Sequence, residues 1–520
     1  MLQRYGTIII LLILGTQPCH ALAAVASTST YSKIISRKSD GQYKTYNLIN
    51  DGEDKDTGGI DRTHDNRRQH IIHPSKALHR VQSTLRSTFL PALPSSNVKG
   101  NDNSNNSNNY QMDKLRQSGY IKYIIFDNIQ DLSTSLRSVL ATQRILEGVG
   151  VGRTGATALS ATINFVIRDG CGMAASLLFT SFAASSFRRN VKRWKLFADI
   201  MVDAGITLEI IAPSMNHKWF LPLLCLGTIC KALCGVAAGA CGGALQMYWA
   251  NTLLGSEEGI SEIAAKNGAQ RTVMGGLGLV LAALVAKFLG NSSIQTAVGL
   301  YLTLTIVHLV TNFKALKLIS LDWLNGWRLH KVVEEFLACV DKNDGEVNEE
   351  LMIVSDPSDA SKEEPLLFLP ELRSMDTKFP IRMGLSFNDL SRLSYQPASS
   401  LQSHIMKRES SKDNYILTVG QVERRTNNRR SILISYFSNS SSSEKAKAYL
   451  HASLVRRALA STLTTCNKKH SENDILQEAE DTAKRELAQL WPLFKRCVTD
   501  VGWKLDKTEC STEGYELFIE

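Results

Sequence analysis

A chain of 520 residues exceeds one ordinary domain, so two or three regions are expected, with ample material for a core. The formal charge of +9 is mild and its basic residues are spread along the chain instead of forming a stripe interleaved with aromatics, which argues against nucleic acid as a partner. Ten cysteines make no disulfide framework, because Cys225, Cys230, Cys234 and Cys241 sit inside an apolar stretch.

Arg4, the apolar run Ile8 to Leu14 and the A-x-A site Ala21-Leu22-Ala23 predict a signal peptide over residues 1–23, cleaved after Ala23. The alternative is an uncleaved anchor, although the run is short for a bilayer. Residues 24–109 are read as a transit-like and disordered linker. To Tyr46 they are rich in Ser, Thr, Lys and Arg and nearly free of acids; the rest is polar, carries DGEDKD and ends in NDNSNNSNN. Such composition buries too little apolar surface to offset chain entropy. Phe89-Leu90-Pro91 is a brief apolar exception, expected to dock on the core. The leader implies a membrane reached through the secretory pathway, and a bipartite leader would extend that route to a plastid membrane.

Residues 110–336 are expected to form a helical, membrane-embedded core. Ile129, Leu132, Leu136, Val139 and Leu140 recur at spacings of three and four, predicting an amphipathic helix that reaches Leu146. Gly150, Gly152 and Gly155 satisfy G-x-G-x-x-G, but a helix precedes them where a dinucleotide loop needs a strand, so they read as turn glycines. Gly170 to Phe187 is uncharged and ends in a basic cluster that includes Arg188, Arg189, Lys192, Arg193 and Lys195, as a transmembrane helix with a positive-inside flank would. Trp219 to Ser256 and Thr272 to Phe313 each contain one Lys, Lys231 and Lys287, and each is long enough for one or two crossings. Gly235-x-x-x-Gly239 and Gly242-Gly243 offer close-packing surface. A buried soluble helical core is the competing reading. Four simple crossings would put the basic flanks after Phe187 and after Phe313 on opposite sides, so a span is re-entrant or one tract crosses a different number of times.

The chemical candidates are the polar residues of this core. Asp199 and Asp203 are spaced i, i+4 and share a helix face, with Glu209 following. Arg168 with Asp169, and Lys266 with Asn267 and Gln270, form comparable sets. Ionisable groups at membrane depth face partners or a cavity; paired carboxylates bind a cation or relay protons, or else bridge helices as salt bridges. C-x4-C-x3-C-x6-C is not a zinc spacing, and neither a G-x-S-x-G elbow, a Walker A loop nor H-E-x-x-H occurs. No catalytic constellation, metal site or cofactor is expected.

Residues 126–336 contain SVLATQRILEGVGVG, ATINFVIRDGCG, KRWKLFADIMVDAG, LEIIAP, CKALCGVAAGA, AAKNGAQ with TVMGGLGL, and VHLVTNFKALKLISLDWLN. In these ordered motifs the chain resembles the root UV-B-sensitive protein family, a domain of unknown function; KAYLHASLVRRAL and GWKL extend the likeness more loosely. Arg168 stands where the family usually has lysine in a KDG motif, Val202 where asparagine often precedes the aspartate, and the Asn-rich insertion before Tyr110 is peculiar to this chain. Arg168 keeps the charge but cannot form a Schiff base. The resemblance implies a membrane protein without established catalytic activity, whose plant relatives are linked to plastids, ultraviolet-B tolerance, development, auxin transport and pyridoxal phosphate homeostasis.

Residues 337–412 are read as a linker and irregular segment, beginning with the acidic DKNDGEVNEE. Residues 413–520 are expected to form a small soluble α+β domain. Tyr415 to Val419 and Ser431 to Phe437 read as strands. Ala446, Leu450, Leu454 and Ala458 mark one helix; Leu476, Ala479, Ala483, Leu487, Leu490 and Phe494 mark another. Gly502 to Leu505 and Tyr515 to Phe518 are expected to close a small sheet. Trp491, Trp503 and His451 read as core residues. Three functions follow: a non-catalytic membrane scaffold or regulator, contacting membrane lipid and assembling as a homo-oligomer or with a second family member; a carrier using the core aspartates; and, least favoured, a cofactor-handling enzyme.

Overall fold

The computed structural model describes residues 33–37, 43–47, 87–93, 112–149, 158–289, 294–342, 354–367, 379–397, 401, 414–422, 429–465, 472–510 and 516–517. The signal peptide and Gly150, Gly152 and Gly155 lie outside these residues. The chain forms two compact units, residues 1–87 and 88–520. In the first, β1 (Lys33–Arg37) pairs antiparallel with β2 (Tyr43–Asn47), with Lys33 opposite Asn47. This pairing falls in a stretch expected to hold no strand.

The second unit begins with a short segment that docks as its apolar residues suggest. Leu93 is buried in the core, and the Phe89 carbonyl accepts a hydrogen bond from Gln270 Nε2 at 2.8 Å. Six long helices follow: α1 (Tyr120–Val149), α2 (Ala158–Phe187), α3 (Val191–Ile211), α4 (His217–Leu254), α5 (Ile260–Leu289) and α6 (Ile294–Lys317). Within α2, α4, α5 and α6, the stretches Thr162–Ala184, His217–Leu254, Ile260–Val285 and Gln295–Lys317 are long and apolar enough to cross a membrane. The tract from Trp219 is thus one helix, and the tract from Thr272 is parts of two.

The bundle has a buried apolar core, yet it also exposes many large apolar side chains. On α1 the buried stripe is Gln130, Ser133, Arg137, Ala141 and Ile145, whereas Ile125, Ile129 and Leu146 are exposed. Of the expected stripe Ile129 is exposed and Leu132, Leu136, Val139 and Leu140 are half-buried, while Arg137 finds its partners inside the bundle. Leu177 and Phe182 on α2, Leu279 and Val280 on α5, and Leu302 and Ile306 on α6 are likewise exposed.

α3 is a long helix that the apolar tracts did not include. It runs antiparallel to α4, bringing Ala198 and Ala237 into one buried cluster and Gly205 against Gly227. A Cβ at Gly205 would sit 2.7 Å from the Gly227 carbonyl oxygen, so this crossing needs glycine. The expected close-packing glycines are not the ones used: nothing lies within 4 Å of a Cβ built at Gly235, Gly239, Gly242 or Gly243. They lie away from the α3 seam. The two basic flanks meet one segment, as Arg193 Nε donates to the Pro365 carbonyl at 3.2 Å and Lys317 Nζ to the Glu364 carbonyl at 2.9 Å. They therefore lie at the same end of the bundle.

Beyond α6, β3 (Trp323–Asn325) leads into α7 (Gly326–Lys342), whose Leu329, Val333 and Phe336 enter the C-terminal core. The C-terminal packing thus begins before residue 337. There follow α8 (Pro357–Glu363), β4 (Ile381–Met383), α9 (Phe387–Leu393), β5 (Tyr415–Val422), β6 (Arg429–Phe437), α10 (Ser442–Thr465), α11 (Glu472–Asp500), β7 (Lys504–Glu509) and β8 (Glu516–Leu517). β6 pairs antiparallel with β5 and parallel with β4 and β8. β7 instead pairs parallel with β3, so the two closing segments expected in one sheet divide between two. Here soluble rules hold. The expected stripes of α10 and α11 are buried except for half-buried Ala458, Phe336 meets Phe494 at 5.2 Å between ring centroids, and Trp503 is buried.

Candidate functional site

α3 carries Lys192, Arg193, Lys195, Asp199, Asp203 and Glu209, and all six are buried. A helix with so many ionisable groups inside a bundle is tolerable only when each charge is paired. Asp203 sits at the centre. Arg137 Nη1 from α1 reaches its carboxylate at 2.5 Å, and His308 Nδ1 from α6 stands 3.0 Å from it. The guanidinium is held further by the Ser133 carbonyl and by the Thr134 and Thr305 hydroxyls. Arg137 has no exposed surface, so Asp203 and this cage replace its hydration.

The other two carboxylates follow the same logic. Asp199 accepts from Lys195 at 2.7 Å, one turn earlier on α3. Glu209 pairs with Lys231 of α4, the single charge of that apolar tract. The basic flank read as facing a compartment is in large part internal, since Lys192, Arg193 and Lys195 are buried while Arg188 is exposed. Glu364 and Asp199 claim Lys192 and Lys195, and the Pro365 carbonyl claims Arg193.

A second cluster joins the helical core to the C-terminal region. Asp356 caps α8 by accepting from the Asp359 amide at 2.7 Å, and Pro357 opens the helix. Pro365 disfavours helical geometry at Glu364, which ends α8 and leaves its carboxylate turned inward. Glu364 receives Lys192 Nζ at 3.2 Å, Arg328 Nη2 at 2.9 Å and Asn325 Nδ2 at 3.0 Å. Burial alone would raise its pKa, but Arg328 and Lys192 hold it down at about 2. Burial pushes the Lys192 ammonium down to about 8.

The remaining expected residues are not brought to this spine. Arg168 donates to Asp169 at 2.8 Å and lies 4.7 Å from the centre of the Phe165 ring, on the flank of α2. Asn267 accepts from the Tyr120 hydroxyl at 3.5 Å, and Gln270 holds the Phe89 segment, so both fasten the bundle's edge. Lys266 is half-buried on α5. Sequence reasoning missed Arg137, His308, Arg328 and Glu364. The polar stripe of α1 was a usable signal for Arg137, whereas a lone histidine in an apolar tract and a glutamate in an irregular segment carried none.

Among the described residues no group of three or more His, Cys, Asp or Glu is placed to hold a metal ion. One cavity of about 340 Å³ lies between α7 and α10, lined by Leu337, Phe379, Arg456 and Arg457, and a smaller one of about 110 Å³ lies between Tyr248, Trp323 and Lys504. Neither is lined by Asp199, Asp203 or Glu209. The spine therefore ties α1, α3, α4 and α6 together through neutralised charges.

Two family models match in succession. A vitamin B6 photo-protection and homoeostasis domain matches residues 116–339, and the C-terminal domain of root UVB sensitive proteins matches residues 353–514. RUS family member 1 of Dictyostelium discoideum is 32% identical over 268 residues, covering 51% of this chain and 47% of that protein. Protein root UVB sensitive 3 of Arabidopsis thaliana is 32% identical over 218 residues, covering 42% and 48%. Protein root UVB sensitive 2, chloroplastic, of the same plant is 29% identical over 223 residues, again 42% and 48%. The chain spans about half the length of these curated relatives. No solved structure matches it.

Proposed function

From the premise that this chain belongs to the root UVB sensitive family, we propose that it is an integral membrane protein acting as a non-catalytic scaffold or regulator. The observation that carries the membrane part is the set of large apolar side chains exposed on α2, α5 and α6, with the charges of α3 buried within. In water such a surface would be a large aggregation hazard, and in lipid it is the stable arrangement.

The scaffold part rests on the state of the aspartates. A carrier needs them facing a wet path, whereas here each buried carboxylate of α3 has a cation from its own or a neighbouring helix. The C-terminal region, fastened to the core through Glu364, would recruit the partner, either a second copy or another family member. The vitamin B6 name of the matched domain suggests that the regulated process involves pyridoxal phosphate, and the chloroplastic relative suggests a plastid membrane.

Alkaline carbonate extraction combined with protease protection of a C-terminal tag tests the reading. Retention in the pellet is expected, with tag accessibility fixing the side of the C-terminal region. Release into the supernatant would remove the membrane claim.

The carrier reading keeps one point in its favour, a histidine of α6 standing 3.0 Å from the Asp203 carboxylate inside the bundle. Asp203→Asn separates the two readings: lowered abundance marks a structural pair, and normal abundance with lost function marks a path.

A further inference from the structure

We propose that the cavity of about 110 Å³ between α4, β3 and β7 binds a phosphate-type oxyanion, carried by a lipid headgroup or by a soluble phosphate ester. One wall is built by an irregular strand. In KLDKTE, Lys504 and Lys507 are three residues apart, and on a regular strand they would face opposite sides. β7 is not regular: Trp323 stands opposite Lys504 and Asn325 opposite Glu509, so β7 advances five residues while β3 advances two. Within the surplus, the Thr508 hydroxyl donates to the Leu505 carbonyl at 2.8 Å. The bulge brings both lysines to one cavity, in the way bulges re-aim side chains.

The facing wall is the end of α4, where Tyr248, Asn251 and Thr252 share a helix face. Asp322 and Trp323 close the cavity. The Asp322 carboxylate is already engaged, accepting from Lys504 Nζ at 2.5 Å, and its carbonyl accepts from the Lys504 amide at 2.8 Å. Among the lining residues two ammonium groups thus stand against one carboxylate. Trp323 is 5% exposed, and its indole N–H has no hydrogen-bond acceptor among the described residues. A buried donor left so is costly until an acceptor reaches it.

This lining repels a cation and offers an apolar ligand little surface. An oxyanion answers both the surplus charge and the unpaired donor, and lysine is a common partner of phosphate. At roughly 30 Å³ per water the cavity has room for about four waters, enough for a tetrahedral oxyanion and too little for a nucleotide. The Lys504 side chain is 42% exposed, which leaves one side open for the rest of an ester.

The site joins two parts of the chain. Asn251 and Thr252 lie at the end of a stretch long and apolar enough to cross a membrane, and the Trp323 carbonyl accepts from Arg328 Nη1, the partner of Glu364, at 2.9 Å. A bound anion would tie α4 to β7 beside the Glu364 cluster. The site requires only this packing and stands apart from the scaffold reading; a headgroup as the source rests on the membrane reading.

The full chain in detergent is dialysed to equilibrium against radiolabelled inorganic phosphate at constant ionic strength. Saturable retention of one phosphate per chain is expected. Lys507→Gln and Asn251→Ala should each weaken it, the first by about tenfold, as loss of one charge-assisted hydrogen bond implies. Replacing exposed Lys484 with Gln should change nothing. Melting curves without phosphate establish that each variant is folded. Competition identifies the source: displacement by dioctanoyl phosphatidic acid where glycerol 3-phosphate has no effect assigns a headgroup, and equal displacement by both assigns a soluble ester. Retention that does not saturate, or that the Lys507 and Asn251 variants leave unaltered, would overturn the proposal. Neither result would touch carbonate retention of the chain, so the membrane reading fails or stands separately.

Discussion

Lys192 and Glu364 come from opposite halves of the chain, yet their charged groups stand 3.2 Å apart with side chains almost wholly excluded from solvent. Arg328 completes the cluster, so one carboxylate answers two cations and carries the link between α3 and α7. An unpaired buried charge is far more costly than the pair is stabilising. Glu364→Gln is therefore expected to destabilise the protein by about 3 to 5 kcal/mol. Thermal unfolding in detergent checks this, with replacement of exposed Glu363 as the control that should change little.

The same carboxylate makes an acid limb. Its folded pKa, about 2, lies below the ordinary glutamate value of 4.5, so its contribution is present in full above the unfolded value and lost as pH falls through the folded one. The loss, on the order of 3 kcal/mol, falls between about pH 4.5 and pH 2. Melting temperature against pH should show this limb in the wild-type protein. Glu364→Gln should lack it.

Asp203→Asn leaves Arg137 buried without its counter-ion, and abundance should fall by several-fold, as a cost of about 3 to 5 kcal/mol implies. Replacing both partners, Arg137→Met with Asp203→Leu, should recover much of the loss, since an apolar pair avoids the desolvation cost. Quantified protein in the membrane fraction is the readout. No recovery in the double variant would point to a role for the charges beyond packing.

Two glycines on α4 separate contact from composition. Gly227→Ala would place a Cβ 3.0 Å from the Gly205 carbonyl oxygen, and is expected to cost about 1 to 3 kcal/mol by overpacking. Gly239→Ala meets nothing within 4 Å, and should be neutral or gain roughly 0.5 to 1 kcal/mol from helix propensity. Paired melting curves decide it.

Leu177 of α2 is 75% exposed. If it faces lipid, Leu177→Asp should lower membrane insertion, at a cost of about 2.5 to 3.5 kcal/mol near the helix centre. On a surface bathed in water the same change would be nearly silent. Carbonate-resistant protein, compared between variant and wild type, gives the answer.

What could be read from the sequence is what depends on near neighbours along the chain. The long uncharged runs fall within helices of spanning length, and the stripes Ala446 to Ala458 and Leu476 to Phe494 predict the buried faces of α10 and α11, because periodicity is a local property. The likeness of residues 126–336 to one family was legible for the same reason. The tertiary structure alone decided which way α1 turns, how α3 packs along α4, and which base answers each acid. The rule that apolar stripes face inward holds in water. On α1 it does not decide the inner face, since Ile129 is exposed while Arg137 is buried. Asp199 and Asp203 announced themselves by their spacing, but Arg137, His308, Lys192, Arg328 and Glu364 meet across long stretches of chain. No local pattern encodes those encounters, since a charge satisfied from another helix leaves no periodic trace beside it.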